Sequence, residues 1–317
     1  MINDNDFQSI IQENIYSQKR QQLLGLLEEK LSERFKEKVG IAAYIANTLD
    51  PGIAAITMMN ITHLIHLDDL IRVACKDNAD SLALIIESFG GEATFPEEVA
   101  NRARTHCKKF YTIIVNLAKS AATLLSMFSD KIIALDTASF GPVDPQLVIH
   151  TPQLVQPVSA RQIREMIEQT IPNITKNLNP AERAAVYASQ NYLLYQQAID
   201  SIKLVKDYLH KELKNKFSEE QIRNIEKDLV DVPLSHSISI SIDQLNKLGF
   251  DTLKINSNEE LGRLLIEYHR RALRNLLMET PNGRGLILFE SKKRSFSIVA
   301  PVTSSPVASH QPQPQKT

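Results

Sequence analysis

The sequence predicts an α/β fold, in which crossover helices connect a parallel sheet that is interrupted by a helical insertion and followed by a C-terminal helix. Between about residues 53 and 135, apolar runs typical of buried strands alternate with amphipathic helical segments. This alternation indicates parallel strands joined by right-handed crossovers. From about residue 150 the pattern becomes helical. A chain of 317 residues is long enough to bury a sizeable core.

The first elements are a polar, heptad-like helix within residues 1–37 and an apolar strand, IAAITMM, at 53–59. We expect the N-terminal helix to pack on the body of the protein or on a partner. A helix over LDDLIRVACKD follows. The apolar run SLALIIES at 81–88 ends before a glycine pair and is typical of a buried parallel strand.

The next elements repeat this alternation. A helix over FPEEVANRARTHCKK has Pro96 near its first turn, as helix starts favour. Strands follow at 111–116 and 131–135, with the helix SAATLLSMFS between them. Because parallel sheets bind ligands beyond the carboxyl ends of their strands, we expect Gly91 and Ser120 to lie together at one edge.

The later part of the chain is mainly helical and divides it into regions. Helical patterns cover SARQIREMIEQTI, the long run 180–217 and the segment 218–228. Their apolar faces need burial, so we expect this insertion to cover the cleft beside Ser120. SHSISISIDQLNKLGF predicts an extended piece and a helix, DTLKI an edge strand, and NSNEELGRLLIEYHRRALRNLLMETP a final helix. The expected regions are an N-terminal helical segment 1–37, a domain 38–296 with the insertion 159–228, and a disordered tail 297–317.

Composition excludes several classes of protein. The 36 basic and 37 acidic residues nearly balance, which gives no bulk attraction to nucleic acid or anionic membrane. No run approaches the ~20 apolar residues of a membrane span, and the N-terminus lacks the pattern of a signal peptide. We expect Cys75 and Cys107 to be buried, unpaired thiols. Together these features predict a soluble, cytoplasmic protein without a nucleic-acid partner or an integral membrane span.

Two consecutive strands end in turns that suggest chemistry. The glycine pair of ESFGGE can turn sharply and point a backbone N–H into a cleft. Ser120, in NLAKSAAT, stands where the positive end of a helix favours a developing anion. A serine with the N–H groups of Gly91 and Ala121 offers the parts of acyl transfer. An ordinary helix cap and a generic turn fit the same residues, so spacing alone leaves both interpretations open.

The segments ESFGGEA, VNLAKSAATLLSMFSDKIIALD and ASFGPVDPQL resemble the Clp-fold serine peptidases, specifically the serine dehydrogenase proteinase family. The resemblance covers roughly residues 80–290 and is more distant to ClpP, signal-peptide peptidase A and the crotonases. It implies a ClpP/crotonase-like fold and a nucleophilic Ser120, with Gly91 and Ala121 as oxyanion donors. It also implies a peptide or protein substrate and no cofactor. Phe89 departs from the proline that relatives usually have in the glycine turn.

The general base is the least defined member of the site. In ClpP a histidine follows the serine, but the matching segment here, FGPVDPQ, contains none. His236, in LSHSIS, lies near the place of the third triad member, so we predict His236 as base and Asp144 as the carboxylate that orients it. A capping histidine and a turn-forming aspartate are the structural alternatives. A lysine base would have to be desolvated; the candidates are Lys119, Lys176, Lys203 and Lys206.

The predicted function is that of a serine peptidase acting through an acyl-enzyme. An inert Clp-fold scaffold that binds peptides or partner subunits, and crotonase-like chemistry on acyl thioesters, are the alternatives. His63 and His66 have a spacing that a metal could use, but no third ligand is near them in sequence, so we expect no metal site. Because Clp-fold relatives assemble into rings or smaller oligomers, we expect a homo-oligomer.

Overall fold

The structure is a computed structural model that describes residues 4–76, 78–150, 155–231, 238–278 and 283–300. Its strands are β1 (Val39–Ala46), β2 (Ser81–Ser88), β3 (Lys109–Ala118), β4 (Lys131–Leu135), β5 (Ser139–Phe140), β6 (Gln146–His150), β7 (Val155–Ser159), β8 (Thr252–Ile255), β9 (Arg284–Ser291) and β10 (Arg294–Ala300). The central sheet has the order β10-β9-β1-β2-β3-β4-β8, and β5 pairs beside β3. Strands β1 to β4 and β8 are parallel, whereas β9 and β10 are antiparallel to their neighbours.

The helices are α1 (Asp4–Phe35), α2 (Leu64–Ala74), α3 (Phe95–His106), α4 (Ala121–Phe128), α5 (Ala160–Glu165), α6 (Ile171–Thr175), α7 (Pro180–Ala188), α8 (Tyr192–Leu213), α9 (Glu219–Leu229), α10 (Ile242–Lys247) and α11 (Glu260–Leu277). A short π-helical turn joins α5 to α6. None of the helices in the described part of the chain is both long and apolar enough to pass through a lipid bilayer.

Helices cover both faces of the sheet. Neighbouring side chains of a strand point to opposite faces, and β9 shows what each face meets. Phe289 packs edge-on against Tyr44 of β1, which also contacts Phe95 of α3. The next residue, Glu290, pairs with Arg20 of α1 at 2.9 Å, on the face that α11 shares. Helices α1 and α11 therefore pack on one face, and α2 and α3 on the other.

The central strands agree with the sequence. The predictions at 81–88, 111–116 and 131–135 are confirmed by β2, β3 and β4, which are adjacent and parallel. The predicted edge strand DTLKI is confirmed as β8, at the end of the sheet. The fold is the α/β class that the alternation of strands and helices predicts.

The strand predicted at 53–59 is wrong. Residues Pro51–Ile56 form a 3₁₀ helix capped by Asp50, whose carboxylate accepts a hydrogen bond from the amide of Gly52. The first strand is instead β1, which the sequence reading missed because glycine and alanine are poor indicators of a strand. Small residues are needed there: a Cβ at Gly40 would overlap the carbonyl of Ala74 at the end of α2.

Two further differences lie toward the C-terminus. The long helical run at 180–217 is divided into α7 and α8, because Asn191 caps the second helix by accepting a hydrogen bond from Leu194 N. The hairpin of β9 and β10 was not predicted, and its last strand runs to Ala300. The rest of the predicted tail, 301–317, lies outside the described residues.

The prediction of two unpaired thiols is also wrong. Cys75 and Cys107 form a disulfide whose Cα atoms are 5.8 Å apart. Cys75 directly follows α2 and Cys107 directly follows α3, and these two helices pack side by side. Their 32-residue separation in sequence does not reveal this proximity, which depends on tertiary packing. The cysteines consequently give no argument for a reducing compartment.

Candidate active site

Ser120 occupies the corner between β3 and α4. Its backbone has φ 49° and ψ −117°, a region that residues with side chains rarely adopt and that costs on the order of 1–3 kcal/mol. Its hydroxyl makes no hydrogen bond within the described part of the chain, so Ser120 is not an ordinary cap of the helix. A strained serine at a strand-to-helix turn has the geometry of a nucleophile elbow.

The glycine turn after β2 lies directly against this corner. The amide of Lys119 donates to the carbonyl of Ser88 at 3.0 Å, so the two strand ends stay paired up to the residue before Ser120. A Cβ at Gly90 would lie 2.7 Å from the Cβ of Ser120, a contact that only glycine avoids. Gly91 and Ser120 line the same cleft, as the sequence predicts.

Two backbone amides beside Ser120, those of Gly91 and Ala121, have no acceptor among the described residues. Gly91 forms an isolated parallel bridge with Met59, in which Met59 N donates to Gly90 O at 2.7 Å and Met59 O accepts from the residue after Gly91 at 2.9 Å. The N–H of Gly91 therefore points away from Met59, because successive peptide groups alternate in direction. Ala121 is the first residue of α4, where an N–H has no partner within the helix. Both amides are available to an acceptor in the cleft.

The cleft beside Ser120 has a volume of about 270 Å³. Helix α8 contributes Leu204 and Val205 to its wall, and the segment before α2 contributes Met58. The helical insertion thus borders the Ser120 cleft, as the sequence predicts. Most of the other lining side chains are apolar, among them Phe89 and Leu124. This lining favours an apolar occupant.

Glu92 is the charged residue among those that line this cleft. Its carboxylate accepts hydrogen bonds from the side chain of Asn60 at 2.5 Å and from the amide of Ile61 at 3.2 Å. Both carboxylate oxygens therefore serve to hold the loop before α2. The wall formed by this loop, including Met58, is fixed by these contacts.

The side chain of Lys119 is directed toward β5. Its ammonium donates to Ser139 Oγ at 2.5 Å and to the carbonyl of Phe140 at 2.7 Å. Burial lowers the pKa of the Lys119 ammonium. These contacts attach β5 to the corner that holds Ser120.

Asp144 follows β5 and is not itself among the described residues that line the cleft. It is only 5% exposed and stands between Val143 and Pro145, which both line the cleft. The amide of Val143 donates to the carbonyl of Leu229 at 2.7 Å, so the end of α9 fixes this segment. The structure thereby brings Asp144 to the side of the sheet on which Ser120 lies.

His236 lies outside the described residues, so its role as base stays a prediction. The chain on both sides of it contacts the segment that contains Asp144. Before it, Leu229 accepts the hydrogen bond described above. After it, Ile240 and Phe140 exchange two backbone hydrogen bonds of 2.8 and 3.0 Å. The described chain on either side of this gap is therefore attached to the segment between Phe140 and Val143.

The remaining lysine candidates belong to the helical insertion. None of Lys176, Lys203 and Lys206 is among the described residues that line the cleft. Lys176 and Lys203 are exposed, and Lys206 pairs with Asp231 at 2.5 Å. Their placement therefore does not favour a lysine base.

His63, just before α2, and His66, within it, have structural contacts. His63 is buried and its Nδ1 lies 3.1 Å from the hydroxyl of Tyr44, and burial lowers its pKa. His66 packs against Phe296 of β10. No group of three potential metal ligands occurs in the described ranges.

The lining residues that sequence reasoning missed include Met58 and Leu204. Met58 was assigned to a strand that does not exist, and Leu204 belongs to a helical run whose orientation the sequence leaves open. Their exposure is 44% and 39%, which is high for large apolar side chains. An apolar residue on the polar side of the α8 pattern was the available signal for Leu204.

The chain is similar to one known protein family and to several individual proteins. A family model described as ClpP-like SDH-type serine proteinase matches residues 10–276. Two similar proteins of Methanocaldococcus jannaschii are described as uncharacterized. One is 28% identical over 62% of this chain and 61% of its own length, and the other is 25% identical over 55% and 52%. The chain thus spans little more than half the length of these relatives.

Solved structures to which the chain is similar include a membrane-bound stomatin-specific protease, with 14% identity and a TM-score of 0.39 over 72% of this chain and 82% of that chain. A peptidase from Plasmodium falciparum has 12% identity and a TM-score of 0.36 over 68% and 94%. A probable enoyl-CoA hydratase/isomerase from Mycobacterium abscessus has 12% identity and a TM-score of 0.37 over 74% and 73%.

Proposed function

Because this chain belongs to the ClpP-like SDH-type serine proteinases, we propose that it is a peptidase that hydrolyses peptide bonds through an acyl-enzyme on Ser120. The corner at Ser120 is the observation on which the proposal rests. A hydroxyl without a partner among the described residues stands there on a strained backbone, beside the available amides of Gly91 and Ala121. These are the parts that acyl transfer requires.

In the proposed mechanism, Ser120 Oγ attacks the carbonyl carbon of the peptide bond while its proton passes to His236. The carbonyl oxygen becomes an anion that accepts hydrogen bonds from the N–H groups of Gly91 and Ala121. His236 then donates the proton to the leaving nitrogen, and the C–N bond breaks. A water molecule, deprotonated by His236, attacks the acyl carbon and releases Ser120. Asp144 orients the imidazole and stabilises its protonated form.

A fluorophosphonate probe tests the proposal, because it labels only an activated serine. We expect the intact protein to gain one label, and peptide mapping to place that label on Ser120. A folded protein that remains unlabelled would contradict the peptidase proposal.

Labelling of His236→Ala is expected to be slower by orders of magnitude. The labelling rate of Asp144→Asn should fall less, since Asp144 only orients the base. Unchanged labelling of His236→Ala would discard this triad.

The lining of the cleft predicts a substrate with an apolar side chain beside the scissile bond. Leu204→Arg should raise KM for a peptide with leucine at that position by roughly tenfold, with a smaller effect on kcat. Leu193→Arg is the matched control, because Leu193 lies on the same helix, is 72% exposed and is not among the residues lining the cleft. Equal KM values for the two variants would show that α8 does not contact the substrate.

A further inference from the structure

Glu87 is a fully buried carboxylate at the carboxyl end of β2, three residues before Gly90. It does not belong to the lining of the Ser120 cleft. Its side chain faces α11, since His269 Nε2 lies 3.1 Å from Glu87 Oε2. A charged residue in an otherwise apolar strand is uncommon and requires compensating partners.

The pairing of β2 with β3 is irregular at this point. Ile86 is paired with Ile114 and Ser88 with Ala118, so β2 advances two residues while β3 advances four. The β3 strand therefore bulges opposite Glu87, just before the corner that holds Ser120. Bulges leave backbone groups without ladder partners and redirect the chain that follows them.

The carboxylate of Glu87 supplies hydrogen-bond acceptors for one backbone amide and one side chain of the bulge. Its Oε2 accepts a hydrogen bond from the amide of Leu117 at 3.0 Å, and its Oε1 accepts one from the side chain of Asn116 at 2.8 Å. Thr48, which follows β1, donates to Oε1 at 2.7 Å. One buried carboxylate thus connects β2, the bulge of β3 and the end of β1.

We propose that Glu87 is a positioning residue, which fixes the end of β3 and thereby holds Ser120 against the glycine turn. This inference rests on the proposed function of Ser120 as nucleophile. Leu117 is three residues before Ser120, and the next strand pairing, Ser88 with Ala118, lies directly beyond the bulge. Without the carboxylate, the Leu117 amide loses its acceptor and the corner is free to shift relative to Gly91.

Glu87→Ala is expected to lower kcat about ten- to hundredfold, because small displacements of a nucleophile have effects of this size. KM should stay within about twofold, since Glu87 does not line the cleft. Glu87→Gln should restore most of kcat. Its carbonyl can accept from Leu117, while Thr48 and Asn116 can each turn an acceptor toward its NH₂ group.

Glu290→Gln is the control for loss of stability alone. Glu290 is equally buried, lies on β9 and faces the same helix layer through its pair with Arg20. Breaking this pair should lower the melting temperature without changing kcat. A folded Glu87→Ala protein with wild-type kcat, or a kcat loss that Glu290→Gln shares, would overturn the positioning role.

Hydrogen exchange at the Leu117 amide gives a second readout that does not depend on catalysis. Exchange should be faster in Glu87→Ala than in the wild type.

If Glu87→Ala does not fold, Asn116→Ala replaces it, because this exposed side chain can be removed without opening the core. We then expect a several-fold lower kcat and faster exchange, and the absence of both would overturn the inference. If wild-type Ser120 resists labelling, the peptidase proposal fails, while exchange at Leu117 still shows whether Glu87 fixes the strand end.

Discussion

Ser120→Ala is expected to reduce peptide hydrolysis by at least about 10³-fold and to abolish fluorophosphonate labelling. The hydroxyl is the only group that the proposed mechanism uses to form the acyl-enzyme, and losing a nucleophile removes the covalent route altogether. Binding of an apolar peptide should be retained, because the apolar wall of the cleft is unchanged. Initial rates and mass spectrometry of the labelled protein measure these effects.

Ser218→Ala is the matched control for an ordinary helix cap. Ser218 accepts a hydrogen bond from Gln221 N at the start of α9, in contrast to Ser120, whose hydroxyl has no partner within the described residues. Its replacement should cost about 1 kcal/mol of stability and leave hydrolysis unchanged. If Ser120→Ala behaves like Ser218→Ala, Ser120 is a structural residue and the protein acts as a binding scaffold.

Gly91→Ala is expected to lower kcat by about 10²- to 10³-fold, the range seen when one oxyanion donor is lost. The added Cβ would overlap the backbone carbonyl of Met59, so the turn has to move and its N–H leaves the cleft. Ser120 remains in place, so some labelling should persist at a reduced rate. Steady-state kinetics and circular dichroism distinguish this outcome from unfolding.

Gly25→Ala provides the comparison for a glycine without a conformational role. No atom lies within 4 Å of a Cβ added at Gly25 in α1, so the change should stabilise the helix by about 0.5–1 kcal/mol without affecting kcat. A folded Gly91→Ala protein with wild-type kcat would exclude the amide of Gly91 as an oxyanion donor.

The elements that the sequence predicts correctly are those whose signal is local. The run SLALIIES is long, apolar and rich in isoleucine and leucine, and it forms β2 as expected. β1 is hard to recognise because close packing against α2 requires glycine at position 40, and glycine and alanine are poor indicators of a strand. The disulfide is hidden because it depends on two helix ends meeting in space.

In the candidate site, too, the residues with a local sequence signal are predicted and those that depend on tertiary packing are not. Ser120 and the glycine turn are recognisable because each occupies a short motif at the end of a strand. Glu87 escaped attention, although a carboxylate inside an apolar run is itself a signal of a buried polar contact. Leu204 reaches the wall through the docking of the insertion, and Met58 through the path of the loop before α2, and both placements depend on tertiary packing.

The disulfide has a consequence for the motions that the glycine turn can undergo. Helices α2 and α3 are joined at one end by Cys75–Cys107, and near the other end by the bridge between Met59 and Gly91. The two helices are therefore connected at both ends, covalently by the disulfide and through backbone hydrogen bonds by the bridge. If the bridge opens, the helix ends that the disulfide joins stay together, so the opening is confined to the end that carries the glycine turn. The disulfide thus limits how far α2 and α3 can separate when the glycine turn moves.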